Sequence, residues 1–428
     1  MKAFFLFFEP FKTLMPNGIR RKFMIFKRNN YPHYLAEKVN AHVQRCEQLG
    51  GRNPLHGLNP TSSSLKLISN DYLALANHSK ILAAQRKELA SFDNMIIMSS
   101  VYLHGDNAQL NFEQRMADFM GSEEAVLCQS GYNANIGLVQ AIVQGADVPI
   151  YLDMMAHMSM RDGTHFSKAA VYSFRHNNID HLMSLIERHG PGLVMVDSVY
   201  STNGSVCPLK ALVDAAYEKG CLLLVDESHS LGTLGPQGRG LVVEYGLQDK
   251  VMFRTASLAK AFAGRAGIIT CPKGFADYFK CTANPSIFSS GLLSYEIAGL
   301  NATLDLIIRA DDRRDQLWRN ADYLRQALSN LGYNVDASQS QIIGLEAGSE
   351  RQTTVLKDAL ESRDVFGSVF CAPATAKNRA LVRLSVNAGL TGSQLEQVVE
   401  VFKGIREEVG LNKWRSTYKS SLSFQQVS

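Results

Sequence analysis

The feature that most constrains this chain is a series of short apolar runs alternating with helical stretches. "EAVLC" (124–128) precedes "YNANIGLVQAIVQ", and "VPIYLD" (148–153) precedes "HMSMRDG". "LVMVDS" (193–198) precedes "LKALVDAAYEKG", and "CLLLVDE" (221–227), "VMFRTAS" (251–257) and "AGIITC" (266–271) follow. Continuous runs of this length suit strands covered on both faces, and strands spaced by helices build a mostly parallel sheet in an α/β fold. In "LLLVDESHSLGTLGPQGRG" (222–240) the apolar run ends abruptly in Asp226, Glu227 and His229. A carboxylate at the buried end of a strand is costly unless a cation meets it. In open α/β sheets that strand edge is where ligands bind.

Residues 293–331 read as a long helix or helix pair. "QIIGLEA", a helix, "GSVFC", "ALVRLSV" and a last helix ending near Val409 then make a smaller α+β domain. These patterns divide the chain into an N-terminal extension and arm (1–64), a large domain (65–300), a small C-terminal domain (301–412) and a tail (413–428). The 28 N-terminal residues hold seven basic residues against one acidic. They lack the apolar core and small-residue cleavage site of a secretory signal. They read as an extension, with Met24 a candidate start.

Composition narrows the function classes. With 44 Lys and Arg against 40 Asp and Glu, the net charge of +4 is too weak to argue for nucleic acid. The seven cysteines are scattered without a CxxC pair, which fits a reducing cytoplasm and argues against both disulfides and a zinc site. No apolar run approaches the roughly eighteen residues of a membrane span.

In "TASLAKAFAGRAG" (255–267), Lys260 sits among small residues that leave room for something else. A lysine held in a pocket loses basicity, and a neutral amine condenses with aldehydes. Pyridoxal 5'-phosphate needs such a lysine, a carboxylate for its pyridine nitrogen, a ring-stacking group and a phosphate cradle. Asp226 would find its cation there.

The order Ser-Gly-Tyr-x-Ala-Asn, His-x-Ser, Asp-x-x-His-Ser-x-Gly, Ser-x-x-Lys and Arg-x-Ser over about residues 65–405 resembles the fold-type I pyridoxal phosphate enzymes. More narrowly it resembles the α-oxoamine synthases, which join an acyl-CoA to an amino acid. "SNDYLALANH", "CQSGYNANIGL", "HNNIDHLMSLIERHGPG" and "VDSVYSTNGS" are similar to the branch that makes long-chain α-amino ketone precursors of α-hydroxyketone quorum-sensing autoinducers. The resemblance implies the roles of individual residues. Lys260 is the Schiff-base lysine, Asp226 the pyridinium partner, His229 the group near the ring hydroxyl and His157 the stacked histidine. Ser130, Gly131, Tyr132 and Ser257 form the phosphate cradle, and Ser201 lies near the ring oxygen. Ser289 and Ser290 reach the phosphate of the other subunit of a homodimer with shared active sites. Arg383 grips the substrate carboxylate. The implied enzyme is a cytoplasmic PLP-dependent acyltransferase without metal, nucleic acid or stable membrane insertion. Its substrates are an acyl-CoA and a small amino acid or S-adenosylmethionine. Where most of the family carries Gly-Ser-Gly-Gly-Ser-Arg, this chain has "MSSVYLHGDNAQLNFEQ" (98–114), which should reshape the mouth of the site. Two alternatives stay open: an α-oxoamine synthase of the 5-aminolevulinate, 8-amino-7-oxononanoate or 2-amino-3-ketobutyrate type, or a fold-type I aminotransferase. A cofactor-binding regulator is a further reading, but residues 1–60 lack a clear helix-turn-helix.

Overall fold

The computed structural model describes residues 31–414 and 416, apart from 52, 54 and 92–96. The basic N-terminal 28 residues and nearly all of the tail expected from 413 lie outside the described residues. Two compact units divide at His56. The first carries the helix His33–Gln48. The second, from Gly57, carries everything below.

In chain order its strands are β1 (Leu65–Lys66), β2 (Glu124–Cys128), β3 (Ile150–Asp153) and β4 (Val171–Phe174). Then come β5 (Leu193–Asp197), β6 (Leu222–Asp226), β7 (Phe253–Ser257) and β8 (Gly267–Cys271). β9 (Ile342–Gly348), β10 (Val365–Phe366), β11 (Ser368–Phe370) and β12 (Ala380–Ser385) complete the set. The main sheet runs β2-β8-β7-β6-β5-β3-β4, parallel except where β8 pairs antiparallel with both neighbours. β11, β12 and β9 form a separate antiparallel sheet.

The apolar runs work as continuous strands because alternate side chains enter different cores. From β5 and β6, Val194, Val196, Leu223 and Val225 pack on one face with Leu212, Val213 and Ala216 of the helix Leu209–Glu218. Leu193, Met195 and Leu224 pack on the other with Ala134, Leu138 and Val139 of the helix Gly131–Val143. The same period puts Asp197 and Asp226, which are register partners at the strand ends, on the second face. Both are buried. The expected strands are present. The added strands are the two-residue β1 and β10, and β4, in which only Phe174 is buried and no apolar run stands out.

Two crossings bring distant segments to this strand edge. β1 pairs with β10, Ser385 N donates to Leu67 O (2.8 Å) and Ala388 N donates to Tyr72 O (2.8 Å). Residues 65–72 therefore run along the C-terminal sheet. The turn 200–206 docks on the same sheet: Ser338 Oγ donates to Asn203 O (2.8 Å) and Gln339 N to Gly204 O (3.0 Å).

Gly204 sits at φ +75°, and a Cβ there would lie 2.0 Å from Ile342 O. Gly204→Ala therefore meets both left-handed backbone strain and backbone overlap, and should cost about 3 kcal/mol. Gly246→Ala, at φ +63° with nothing within 4 Å of the new carbon, should cost about 1 kcal/mol. Denaturant unfolding of the two variants checks the difference, and equal losses would refute the close docking.

Candidate active site

Asp226 ends β6 with its carboxylate held on both sides. Oδ1 accepts from Ser228 N at 2.8 Å, and Oδ2 accepts from Asn135 Nδ2 at 2.6 Å. Asn135 is itself fixed, because Thr255 Oγ1 donates to its Oδ1 at 2.6 Å. Its amide also donates to Ser159 Oγ at 2.9 Å, and that hydroxyl lies 2.6 Å from His157 Nδ1. His157 N donates to Asp197 Oδ2 at 2.9 Å. Burial, then the neighbouring Asp226 charge, pushes the Asp197 carboxyl well above the usual range.

Lys260 lies on the connection between β7 and β8. Leu258 N donates to Ala266 O (2.9 Å), Gly264 N to Leu258 O (3.0 Å) and Ala263 N to Lys260 O (2.9 Å). This compact turn fixes where the lysine projects. Burial, and after it the Arg383 charge, lowers Lys260 to about 8, with Asp226 opposing. His229 is pushed well below the usual histidine value by burial first, then by Lys260, Arg383 and His157. These couplings put the predicted lysine, carboxylate, histidines and arginine in one electrostatic neighbourhood.

Arg383 is buried on β12. Its guanidinium donates to Ser201 O at 2.9 Å and to Asn70 Oδ1 at 2.9 Å, and stacks 4.8 Å from the Phe370 ring centroid. Its Nε has no hydrogen-bond partner among the described residues. Ser201 thus meets the cluster through its carbonyl.

The phosphate cradle was predicted at the start of the helix Gly131–Val143. Ser130 caps that helix, its Oγ accepting from Asn133 N at 3.1 Å. The N–H groups of Gly131 and Tyr132 have no helical acceptor, the condition that favours a bound anion. A Cβ on Gly131 would lie 2.7 Å from Ser257 Cβ, so the two elements meet at backbone contact. Ser257 N donates to Ser228 Oγ at 2.8 Å, and Ser228 is the residue whose own N–H holds Asp226. A buried carboxylate, a lysine of lowered basicity and an open helix N-terminus converge on one strand edge. They match the pyridine nitrogen, aldehyde and phosphate of PLP.

Other predicted residues are placed differently. The Tyr132 side chain is exposed and its hydroxyl donates to Asp162, so only its backbone faces the cradle. Ser289 Oγ donates to Pro285 O, and Ser290 is exposed, with its carbonyl accepting from Gln129 Nε2 at 2.9 Å. Neither hydroxyl meets the cluster within this chain. The 98–114 segment lies beside them: Ser99 bridges Ser290, and Gly291 N donates to Met98 O (2.8 Å).

Sequence reasoning missed Asn135, Asn70 and Tyr72. Asn135 closes the quoted Ser-Gly-Tyr-x-Ala-Asn motif, one helical turn after Gly131, which is the signal that could have found it.

A model of the family described as aminotransferase class I and II matches residues 62–402. A CAI-1 autoinducer synthase of Vibrio campbellii is 44% identical over 376 residues, covering 87% of this chain and 95% of that protein. An 8-amino-7-oxononanoate synthase of Coprothermobacter proteolyticus is 30% identical over 81% of this chain and 89% of its own length. Among solved structures, a serine palmitoyltransferase of Sphingomonas wittichii superposes with a TM-score of 0.81 at 25% identity, covering 89% of this chain and 98% of that one. Another such enzyme, solved with PLP, gives 0.82 at 25% identity over 88% and 99%.

The depth of the lysine has a signed consequence. Its folded value of about 8 lies below the ordinary 10.5. Below pH 8 the folded state therefore carries the full cost of a buried ammonium, which fades as pH rises through 8 towards 10.5. Lys260→Met should stabilise the cofactor-free protein at pH 7 by on the order of 2 kcal/mol. The gain should shrink towards nothing near pH 10.5. Denaturant titrations across that range check it, and a gain independent of pH would contradict the burial argument.

Proposed function

The chain belongs to the class I and II aminotransferase family and, within it, to the α-oxoamine synthases, and from that premise we propose that it condenses a medium- or long-chain acyl-CoA with a small amino donor. The product is an α-amino ketone that serves as precursor of an α-hydroxyketone autoinducer. The enzyme is a PLP-dependent acyltransferase. The observation that carries the reading is the convergence of Asp226, Lys260, His229 and Arg383, each coupled electrostatically to at least one of the others.

PLP, when bound, supplies an electron sink for a carbanion at the α-carbon of the amino substrate. Asp226 would face its pyridine nitrogen. The Asn135 and Ser228 bonds fix the carboxylate plane, so no reorganisation is needed when charge develops. Lys260 would anchor it through Nζ. Freed from that anchor, Nζ would be the base that receives the α-proton, and a value of about 8 leaves a minor but far larger neutral fraction near physiological pH than an ordinary lysine has. Arg383 grips the donor's carboxylate, exchanging its bonds to Ser201 O and Asn70 Oδ1 for a bidentate pair. That grip would fix the orientation of the donor's α-carbon. With the α-proton on Nζ, the donor's α-carbon would bond to the thioester carbonyl carbon as the C–S bond breaks, and CoA would leave as thiolate, taking a proton to become thiol. Loss of carbon dioxide from the β-keto acid then leaves the amino ketone.

His157 would cover the ring face, while Ser130, Gly131, Tyr132 and Ser257 hold the phosphate. Ser289 and Ser290 would serve the partner's site in a homodimer, since they meet no part of the cluster within their own chain. The Vibrio campbellii relative is named for an autoinducer, and the departure from glycine-rich access residues at 98–114 supports that branch. Seven scattered cysteines without a CxxC pair fit a reducing cytoplasm. Among the described residues no helix is long and apolar enough to cross a membrane.

Mass spectrometry of products from a panel of acyl-CoAs and amino donors, including 2-aminobutyrate and S-adenosylmethionine, tests the reading. CoA thiol should appear in step with an α-amino ketone. Keto acid without thiol would identify an aminotransferase instead. Lys260→Ala should abolish thiol release and the near-visible band of bound cofactor. Arg383→Lys, which loses the fork, should raise the KM for the donor by about tenfold or more while acyl-CoA KM changes little.

A further inference from the structure

Arg383, Asn70, Tyr72 and His229 form a polar chain behind the proposed site, and the mechanism above gives Tyr72 no role. Arg383 donates to Asn70 Oδ1 at 2.9 Å. The Tyr72 hydroxyl lies 3.3 Å from the same oxygen and 2.7 Å from His229 Nδ1. Tyr72 and His229 are both buried, and Gln341 Nε2 together with Thr233 Oγ1 holds His229 O at 2.8 and 3.0 Å. Among the described residues His229 Nε2 makes no hydrogen bond.

A phenol has one hydrogen to give. Asn70 Oδ1 already accepts from a guanidinium, and 3.3 Å is long for O–H···O, whereas 2.7 Å to the imidazole is a full bond. The hydrogen therefore goes to Nδ1. Burial holds the phenol un-ionised and the imidazole neutral, so the donor and the acceptor are both available. In a neutral imidazole one nitrogen carries the proton, and the bond made by the other decides which.

We propose that Tyr72 is a positioning residue that fixes His229 as its Nε2–H tautomer, making it a standing hydrogen-bond donor to the ring oxygen of the cofactor. While no substrate is bound, the Arg383 bond to Asn70 takes one lone pair of that amide oxygen, and the shorter contact keeps the phenol on the histidine. The carboxylate grip and the ring-oxygen donor are thereby joined through two residues. The direction towards PLP rests on the proposed function, but the tautomer does not.

The test uses the full chain, labelled with 15N-histidine and free of cofactor, in long-range 1H–15N correlation spectra at neutral pH. His229→Gln identifies the signals. The wild type should show a protonated, pyrrole-type Nε2 and an unprotonated, pyridine-type Nδ1. In Tyr72→Phe, Nδ1 loses its donor and the Nδ1–H form should appear. A wild-type spectrum showing Nδ1–H or imidazolium overturns the proposal, even if the variant does not fold. So does a Tyr72→Phe spectrum identical to wild type. With PLP added, Tyr72→Phe should shift the pH midpoint of the bound cofactor's near-visible band, and an unmoved midpoint would overturn the link to the ring oxygen. If PLP does not bind at all, the proposed function fails while the cofactor-free tautomer still stands or falls by its own spectrum.

Discussion

A carboxylate at the buried end of a strand is the constraint on which the site depends. Asp226 is only 3% exposed. An anion so placed is stable only with donors on its oxygens and a cation in reach. The fold supplies both from elements far apart in sequence. Asn135 comes from the helix after β2, Ser228 from the turn after β6, and Lys260 from the connection between β7 and β8. Asn135 and Ser228 hold the two carboxylate oxygens directly, and Lys260 adds an opposing charge at the cost of its own burial.

The same constraint explains the arrangement of the amide and hydroxyl groups around it. Asn135 gives its amide hydrogens to Asp226 and Ser159 and receives from Thr255. A single side chain thus ties the carboxylate, a strand of the sheet and the turn carrying His157. Buried networks of this kind specify one arrangement when every member is satisfied. The cradle follows a different logic, in which backbone approaches backbone. Gly131 lies against Ser257 with no room for a side-chain carbon, and this leaves the open N–H groups of the helix facing the strand edge.

Much of this was legible in the chain itself. The apolar runs of β5 and β6 announce two-sided burial because their alternate residues are all apolar, and the abrupt Asp226 marks a strand end. β4 was not legible, since "VYSF" at an exposed edge has no pattern to distinguish it from a loop. The antiparallel direction of β8 was readable but unread: nine residues between β7 and β8 are too few for a crossover. Lys260 stands out by its small neighbours, whereas Arg383 gains meaning only from resemblance, because an alternating strand does not reveal which charge it will meet. Asn70 and Tyr72 were beyond reach for a physical reason. Their partners are Arg383 and His229, and proximity arises only when residues 65–72 run beside a sheet completed by β12.

The bases around this anion are deliberately unequal in strength. Arg383 is the one base in the cluster whose proton burial cannot remove, since guanidinium basicity starts so high. Its standing charge helps to depress both Lys260 and His229. The cluster therefore answers one buried anion without accumulating positive charge: arginine keeps its proton, lysine has lost part of its basicity, and His229 is neutral. The proposed function, which asks for both a charged guanidinium and a free amine, needs this inequality among the bases. Here it follows from depth and neighbours rather than from any single residue.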